Sequence, residues 1–202
     1  MFRRKPTEPV AGRWLVIGLG NPGPEYASTR HNLGFHTVDE IAARHRVQLK
    51  DRAAKSLTGR IDIDGRELIL AKPQTFMNDS GAAARALRDK YRVPLERTIV
   101  VHDELDLPFG RLRVRRNGGA AGHNGLRSLI AAYGTPDFIR VRIGVGRPIG
   151  PGMEYLLSPF TPQEREALPP LIARAADAVL SIVDKGLERT MTDFNREEAA
   201  PL

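Results

Sequence analysis

The chain alternates short, continuous apolar runs with longer segments whose apolar residues recur every three to four positions. The runs at 14–20 and 98–102 are short and end in glycine or in charged residues, which is typical of buried strands. Helical spacing is found at 31–45, at 80–91 and at 124–133. Strands and helices that alternate in this way predict an α/β fold.

Further strands are predicted beside these buried ones. Apolar runs at 55–63 and 67–73 flank the dipeptide Asp64-Gly65, a pattern that predicts a β-hairpin feeding a mixed sheet. The Arg-rich run at 111–116 and the apolar run at 138–145 are also predicted strands.

The two ends of the chain differ in character. Residues 1–12 contain Arg, Lys and Pro but little apolar periodicity, so we predict a flexible N-terminal extension. Thr161-Pro162-Gln163-Glu164 is a capping box with proline at the first helical position, which predicts a long helical region reaching about Lys185. Since no repeat or low-complexity segment divides residues 13–202, we expect one domain there.

Composition narrows the possible chemistry. The chain has no cysteine, which excludes disulfides, thiolate metal sites and a cysteine nucleophile. It also lacks an apolar run of the roughly 18 residues that a membrane helix needs. We therefore expect a soluble, cytoplasmic protein without membrane contact.

The formal net charge of +7 is unevenly distributed. Residues 85–147 hold 13 Lys and Arg against 6 Asp and Glu, whereas residues 151–202 hold 5 against 9. A basic middle segment favours a polyanionic partner. In a strand, Arg111, Arg113 and Arg115 would share one face, although a solvated edge strand explains this run equally well.

The segment Gly18-Leu19-Gly20-Asn21-Pro22-Gly23 matches the G-x-G-x-x-G pattern of dinucleotide-binding proteins. That pattern needs its third glycine inside a helix, but Gly23 is followed by Pro24-Glu25-Tyr26, which indicates a second turn. We therefore do not interpret this segment as a dinucleotide-binding motif. The glycines more plausibly let the backbone turn sharply and direct Asn21 into a cleft.

The segment His102-Asp103-Glu104-Leu105-Asp106 places four potential metal ligands in five positions. Alternation along a strand sends neighbours to opposite faces, so we expect no metal site. We interpret Glu104 and Asp106 as solvated turn residues. Asp103, at the end of a strand, can accept the Nδ1 hydrogen of a histidine and leave Nε2 to take a proton.

Among the five histidines, His31 is the predicted catalytic base. It lies at the start of a helix beside a polar loop, and no Gly-x-Ser-x-Gly motif supplies a serine nucleophile. A histidine without an adjacent nucleophile usually activates water. His123, beside a glycine-rich loop, is the alternative.

Three asparagines, Asn21, Asn78 and Asn124, lie in loops between predicted elements. Each alone is explained by turn or cap chemistry. Together they offer neutral amide donors and acceptors, which suit a peptide backbone or a polarised carbonyl.

Four segments together resemble the bacterial peptidyl-tRNA hydrolase family. They are Gly18–Tyr26 with Thr29-Arg30-His31-Asn32, Lys72–Gly81, His102–Pro108 and Gly122–Leu126. The resemblance covers about residues 14–195. It implies a single-domain α/β/α sandwich with a mixed, mostly parallel, twisted sheet and a C-terminal helical lid over 151–185.

The implied reaction is hydrolysis of the ester between a peptide and tRNA, which recycles tRNA from stalled or prematurely released translation products. No cofactor or metal is implied, and we expect a monomer. Within the resemblance, His31 corresponds to the general base and Asp103 to its orienting partner. Asn21 would position the histidine and the substrate. The remaining substrate-binding residues would be Tyr26, Phe76, Met77, Asn78 and Asn124.

The resemblance also implies a clamp for a tRNA phosphate at Arg115 and Arg142, with Arg113 on the same strand face. The family often has lysine at the position of Arg115. Arginine keeps the positive charge there but changes the geometry of phosphate binding. A second departure is Ala120-Ala121, where the family usually has a glycine before Gly122. That loop is expected to be stiffer.

Other functions remain open from the residues alone. An RNA-binding module with a degenerate site would bind tRNA without releasing peptide. A nucleotide-dependent oxidoreductase would bind NAD, and a peptidase or phosphorylase could share the sandwich, because a fold does not determine its chemistry.

Overall fold

The protein is described by a computed structural model that covers residues 10–196. Residues 1–9 of the predicted extension lie outside the described residues. Val10 is already attached to the domain, because its backbone N–H donates to the carbonyl of Arg92 over 3.1 Å.

Seven strands form one sheet in the order β2-β3-β4-β1-β5-β7-β6. The central strands β4, β1, β5 and β7 are mutually parallel, and the outer pairings are antiparallel. The strands are β1 (Trp14–Gly18), β2 (Asp51–Ala53), β3 (Ser56–Ile63), β4 (Arg66–Pro73), β5 (Thr98–Glu104), β6 (Leu112–Arg116) and β7 (Ile139–Gly144). The helices are α1 (Leu33–Arg44), α2 (Ser80–Tyr91), α3 (Asn124–Tyr133), α4 (Gly152–Leu156), α5 (Pro162–Lys185) and α6 (Leu187–Asn195).

Helices cover both faces of the sheet, so the predicted α/β/α sandwich is confirmed. On β1, Val16 belongs to the core beneath α1 and α5, while Leu15 and Ile17 belong to the core beneath α2 and α3. This alternation explains the continuous apolar run in the sequence, because a strand between two helical layers buries every side chain.

Most predicted elements are found close to their predicted bounds, but strand β2 and helix α6 were not predicted. The hairpin turns at Asp64 and Gly65, both with positive φ, and α5 begins at the predicted capping box with Thr161 as its N-cap. Strand β2 is joined to β3 by a turn at Ala54 and Lys55, which also have positive φ. Neither residue is a typical turn former, so the local sequence gave no signal.

The edge strand β6 is covered by the C-terminal helix. Asn195 of α6 accepts a hydrogen bond from the N–H of Val114 over 2.8 Å and donates to the carbonyl of the same residue over 2.9 Å. The side-chain amide of Asn195 thus makes the hydrogen bonds that a neighbouring strand would make with Val114, and it covers this edge of the sheet. Within residues 10–196, no helix combines the length and apolarity needed to cross a membrane.

Helix α1 contacts the sheet through backbone atoms. A Cβ on Gly34 would lie 2.4 Å from the backbone nitrogen of Leu19 and 2.4 Å from the carbonyl oxygen of Val101. A Cβ on Gly18 would lie 2.2 Å from the carbonyl oxygen of Gly34. Only glycine permits this approach, and it brings the turn before α1 over the ends of β1 and β5.

We predict that Gly34→Ala destabilises the protein by roughly 3 kcal/mol, because the added methyl group meets backbone that cannot move aside. Chemical denaturation measures the loss. Gly119→Ala is the matched control, since a Cβ there has no neighbour within 4 Å, and we expect it to stay within about 0.5 kcal/mol of wild type. Equal stability of the two variants would contradict this account of the helix contact.

Candidate active site

The candidate site is built around a buried carboxylate. Asp103 lies near the C-terminal end of β5, between the parallel strands β1 and β7, and is 1% exposed. Open α/β sheets place their sites at this end of the parallel strands. A buried carboxylate requires hydrogen-bond donors, and two histidines supply them.

His31 is the first donor. It lies in the 3₁₀ turn Arg30–Asn32, directly before α1, and its Nδ1 is 2.9 and 3.0 Å from the two carboxylate oxygens of Asp103. This arrangement assigns the ring proton to Nδ1. Nε2 is buried and has no hydrogen-bond partner among residues 10–196, so it is available to accept a proton.

His123, the alternative base of the sequence analysis, is the second donor to Asp103. Its Nδ1 accepts from the N–H of Leu126 at the start of α3, which leaves Nε2 to donate to Asp103 over 3.2 Å. The ring of His102 lies edge-on to that of His123, with centroids 5.0 Å apart, and its Nδ1 donates to the backbone carbonyl of Asp103. Three histidines therefore surround one aspartate.

Burial of His31 and the negative charge of Asp103 have opposite effects on the pKa of His31. Burial alone would lower its pKa, but the charge of Asp103 and the hydrogen bond to it outweigh burial, so the pKa lies above 6.5. Burial would raise the pKa of Asp103, yet the two histidines hold it far below its ordinary value. Burial, together with His123, lowers the pKa of His102 well below 6.5, so this ring is neutral near pH 7.

A reciprocal amide pair fixes the loop beside His31. The N–H of Asn21 donates to Oδ1 of Asn32 over 2.8 Å, and Nδ2 of Asn32 donates to the carbonyl of Asn21 over 3.0 Å. Oδ1 of Asn21 accepts from the N–H of Met77 over 2.8 Å. Because its oxygen is occupied, Asn21 presents Nδ2 as its free group.

The other predicted substrate-binding residues lie in the segments that follow β1 and β4 and at the start of α3. The rings of Tyr26 and Phe76 meet edge to face with centroids 6.4 Å apart, and Phe76 is 57% exposed. Asn78 and Asn124 line one groove of about 600 Å³ between α2 and α3. Oδ1 of Asn124 accepts from Arg127 over 2.9 Å, which leaves Nδ2 of Asn124 as a donor.

Four arginines converge where β6 pairs with β7. Arg113 lies directly opposite Arg142, and Arg115 lies opposite Arg140. Like charges at such positions repel each other, so stability alone does not favour the arrangement. Burial, with Arg115 and Arg142 nearby, lowers the pKa of Arg140 to about 10.

The interpretation of Glu104 as a solvated turn residue was wrong. Glu104 is 5% exposed, and its Oε2 accepts from both Nε and Nη2 of Arg142 over 3.0 Å. The last residue of β5 thus neutralises part of the basic surface. Asp106 is partly exposed and pairs with Arg147, as expected of a turn residue.

Arg140 supports the loop of small residues before His123. Its guanidinium donates to the carbonyls of Gly118 and Gly119, and it stacks on Phe138 at 4.6 Å from the ring centroid. Ala121 in this loop has a φ of 47°, a left-handed conformation that costs an alanine about 1–2 kcal/mol. This loop contains Ala120-Ala121, which departs from the pattern of the family that the sequence resembles.

Three groups of the site could also hold a cation. His31, Asp103 and His123 offer ligand atoms that lie within 4.8 Å of one another. Coordination requires nitrogens without protons, whereas Nδ1 of His31 and Nε2 of His123 face Asp103 as donors. A cation would replace both hydrogen bonds, and metal-free chemistry stays a prediction.

The sequence model described as peptidyl-tRNA hydrolase matches residues 15–201. The chain belongs to the peptidyl-tRNA hydrolase family. The peptidyl-tRNA hydrolase of Chloroflexus aggregans is 47% identical over 185 residues, which cover 90% of this chain and 98% of that relative. That of Frankia casuarinae is 49% identical over 186 residues, covering 91% and 94%.

Solved structures of the family share the fold. The peptidyl-tRNA hydrolase of Acinetobacter baumannii is similar with a TM-score of 0.88 and 33% identity, and the match covers 96% of this chain and 100% of that one. The resemblance inferred from four short motifs is therefore confirmed over the whole domain.

Sequence reasoning missed two polar residues of the site. Asn32 is part of the motif around His31, but nothing local indicated that its amide binds the backbone of Asn21. His102 stands beside Asp103 in the sequence and was considered only as a metal ligand. The contact of Asn32 depends on how β1 and α1 meet in space, and that of His102 with His123 depends on how β5 meets the loop before α3.

We predict that His31 titrates above pH 6.5 by NMR in the wild type and below 6.5 in Asp103→Asn, because burial then dominates. Since the folded pKa is raised, the charged histidine stabilises the fold below about pH 6.5, and this contribution is lost as the pH rises through the raised pKa. Asp106→Asn is the control and should leave the titration unchanged. An unaltered midpoint in Asp103→Asn would show that another group raises the pKa of His31.

Proposed function

We propose that His31 is the general base with which this member of the peptidyl-tRNA hydrolase family hydrolyses the ester between peptide and tRNA. The observation that supports the proposal is that the two imidazole nitrogens of His31 have different surroundings. Nδ1 is held by Asp103, while the buried Nε2 has no partner in the part of the chain that the structure describes. A base needs this division between an oriented nitrogen and a free one.

The proposed reaction begins with water bound to Nε2 of His31. The histidine takes a proton as the water oxygen attacks the ester carbonyl, and the resulting imidazolium is stabilised by Asp103. When the tetrahedral intermediate collapses, the bond to the ribose oxygen breaks and the imidazolium returns its proton to that oxygen. The products are the peptide acid and free tRNA, and the histidine is regenerated.

The asparagines are proposed to bind the uncharged part of the substrate. Asn21 and Asn124 both have an occupied side-chain oxygen and a free Nδ2, so both can donate to a carbonyl oxygen that gains charge. Asn78 shares the groove with Asn124 and is proposed to bind the peptide. Tyr26, Phe76 and Met77 are proposed to form the apolar wall of the cleft.

The tRNA phosphate is proposed to bind the arginines of β6 and β7. Arg115 uses Nε to donate to the carbonyl of Asn117 and keeps its terminal nitrogens for a phosphate. Arg142 forms an ion pair with Glu104, which neutralises part of its charge. Arg113 lies directly opposite Arg142 in the pairing of β6 with β7. Phosphate contacts provide affinity without sequence choice, which suits an enzyme that accepts many tRNAs.

We propose further that the protein acts in the cytoplasm as a monomer and without a cofactor. All the proposed site residues come from one chain and lie on one domain, so the site needs no second copy. The absence of cysteine supports a reducing compartment.

We expect His31→Ala to lower the rate of peptide release by roughly 10²–10⁴-fold and to leave tRNA binding intact, because only the proton acceptor is removed. Release of a labelled N-acyl-aminoacyl group from tRNA measures the first, and a gel shift measures the second. His45→Ala, at the exposed end of α1, is the control. Retained turnover in His31→Ala would refute the role of the base. Binding without release by the wild type would favour an RNA-binding module.

Arg115→Ala is expected to weaken the binding of different tRNAs equally and to reduce the slope of log K against log salt by about 1, because one phosphate contact is lost. Binding titrations at several salt concentrations measure the slope. Arg60→Ala is the matched control, since Arg60 is an exposed strand arginine on β3, near the opposite edge of the sheet. An unchanged slope in Arg115→Ala would place the phosphate elsewhere.

A further inference from the structure

Arg30, the residue before His31, is a buried cation. It is 3% exposed, and Nη2 lies 2.5 Å from Oε2 of Glu164 in the first turn of α5. Burying a charged pair usually brings little net stability, because desolvation offsets the attraction. Its place beside the proposed base therefore calls for a reason other than stability.

The guanidinium of Arg30 holds the segment 155–160, which joins α4 to α5. Nη1 donates to the carbonyl of Ser158 over 3.2 Å, to its hydroxyl over 2.7 Å and to the carbonyl of Pro159 over 2.8 Å. The planar group also lies over the rings of Tyr155 and Phe160, at 4.1 and 5.1 Å from their centroids. One side chain thus contacts this segment at four residues.

Backbone contacts also join the turn that carries Arg30 to the segment 155–160. Thr29 forms an isolated antiparallel bridge with Pro159, and the N–H of Arg30 donates to the carbonyl of Ser158 over 3.4 Å. The segment 155–160 is therefore attached directly to the turn that carries His31.

Glu164 has two roles at once. As the third residue of α5, it accepts the N–H of Thr161 through Oε2 over 2.7 Å and completes the capping box found in the sequence. The same oxygen receives the guanidinium of Arg30. The start of α5, the segment before it and the catalytic turn thus share one carboxylate.

We propose that Arg30 is a positioning residue for His31, and that its pairing with Glu164 keeps the 3₁₀ turn in the geometry that directs Nδ1 at Asp103. The inference rests on the proposed role of His31 as the base. When Arg30 loses these contacts, the turn is released from the segment 155–160, and His31 spends less time aligned with Asp103. A displacement of about 1 Å in such a group can cost on the order of 10²-fold in rate.

The test compares Arg30→Met, Arg30→Lys and Glu164→Gln with wild type. We expect kcat to fall roughly 10- to 100-fold in Arg30→Met, with KM within about twofold, because the base rather than substrate binding is disturbed. Arg30→Lys keeps a positive charge beside Glu164 but loses the planar, branched donor group of arginine. It should therefore retain part of the kcat that is lost in Arg30→Met. Glu164→Gln keeps the capping acceptor and should lower kcat less than Arg30→Met does.

The matched control is Arg44→Met. Arg44 also joins α1 to α5, through Asp177 at 2.6 Å, but it lies at the far end of α1 from His31. We expect this variant to change thermal stability without changing kcat. If Arg30→Met and Glu164→Gln lower thermal stability and keep wild-type kcat, Arg30 is structural only and the inference is overturned.

Imidazole ¹⁵N spectra give a readout that does not depend on turnover. At a pH above the raised pKa of His31, we expect its resonances to report a protonated Nδ1 and a bare Nε2 in the wild type, and a mixture of the two tautomers in Glu164→Gln. An unchanged spectrum in Glu164→Gln would count against the inference even if Arg30→Met fails to fold. An inactive wild type with the expected spectra would instead refute the proposed function, so the two failures are distinguishable.

Discussion

The close approach of α1 to the central strands is the constraint on which the site depends. Gly18 and Gly34 let helix backbone lie against strand backbone, where any side chain would meet peptide atoms at about 2.4 Å or less. The turn before α1 is thereby held at the carboxyl end of β5. Without that approach His31 could not reach Asp103, and the polar cluster would lose its first donor.

Asp103 then organises the chemistry. It is a buried charge, and it is stabilised by His31, by His123 and by the structure around His102. Its charge raises the pKa of His31 against the effect of burial, which makes that histidine a stronger base than an isolated buried imidazole. Asn21, Asn78 and Asn124 add neutral amides beside this charged cluster.

Cations occupy a different part of the molecule. The arginines of β6 and β7 lie on strands that do not pair with β1, and one of them is paired with Glu104 at the end of the strand that carries Asp103. This separation fits a substrate with two parts, an uncharged ester and peptide and a charged nucleic acid. Arg30 is a third case, because it is a cation used inside the protein to connect α5 with the turn of the proposed base.

Periodicity, turn residues and capping determine local structure, and these could be read directly from the chain. The buried strands, the Asp64-Gly65 hairpin, α2, α3 and the start of α5 were predicted in this way, and the order of four motifs indicated the family. Strand β2 was missed because Ala54 and Lys55 carry no turn signal. The partners of Asn32, Glu104 and Arg30 were decided only by the tertiary structure. Each of these contacts joins residues that are distant in the sequence, and a side chain's local pattern does not encode which distant group will neutralise or hydrogen-bond it.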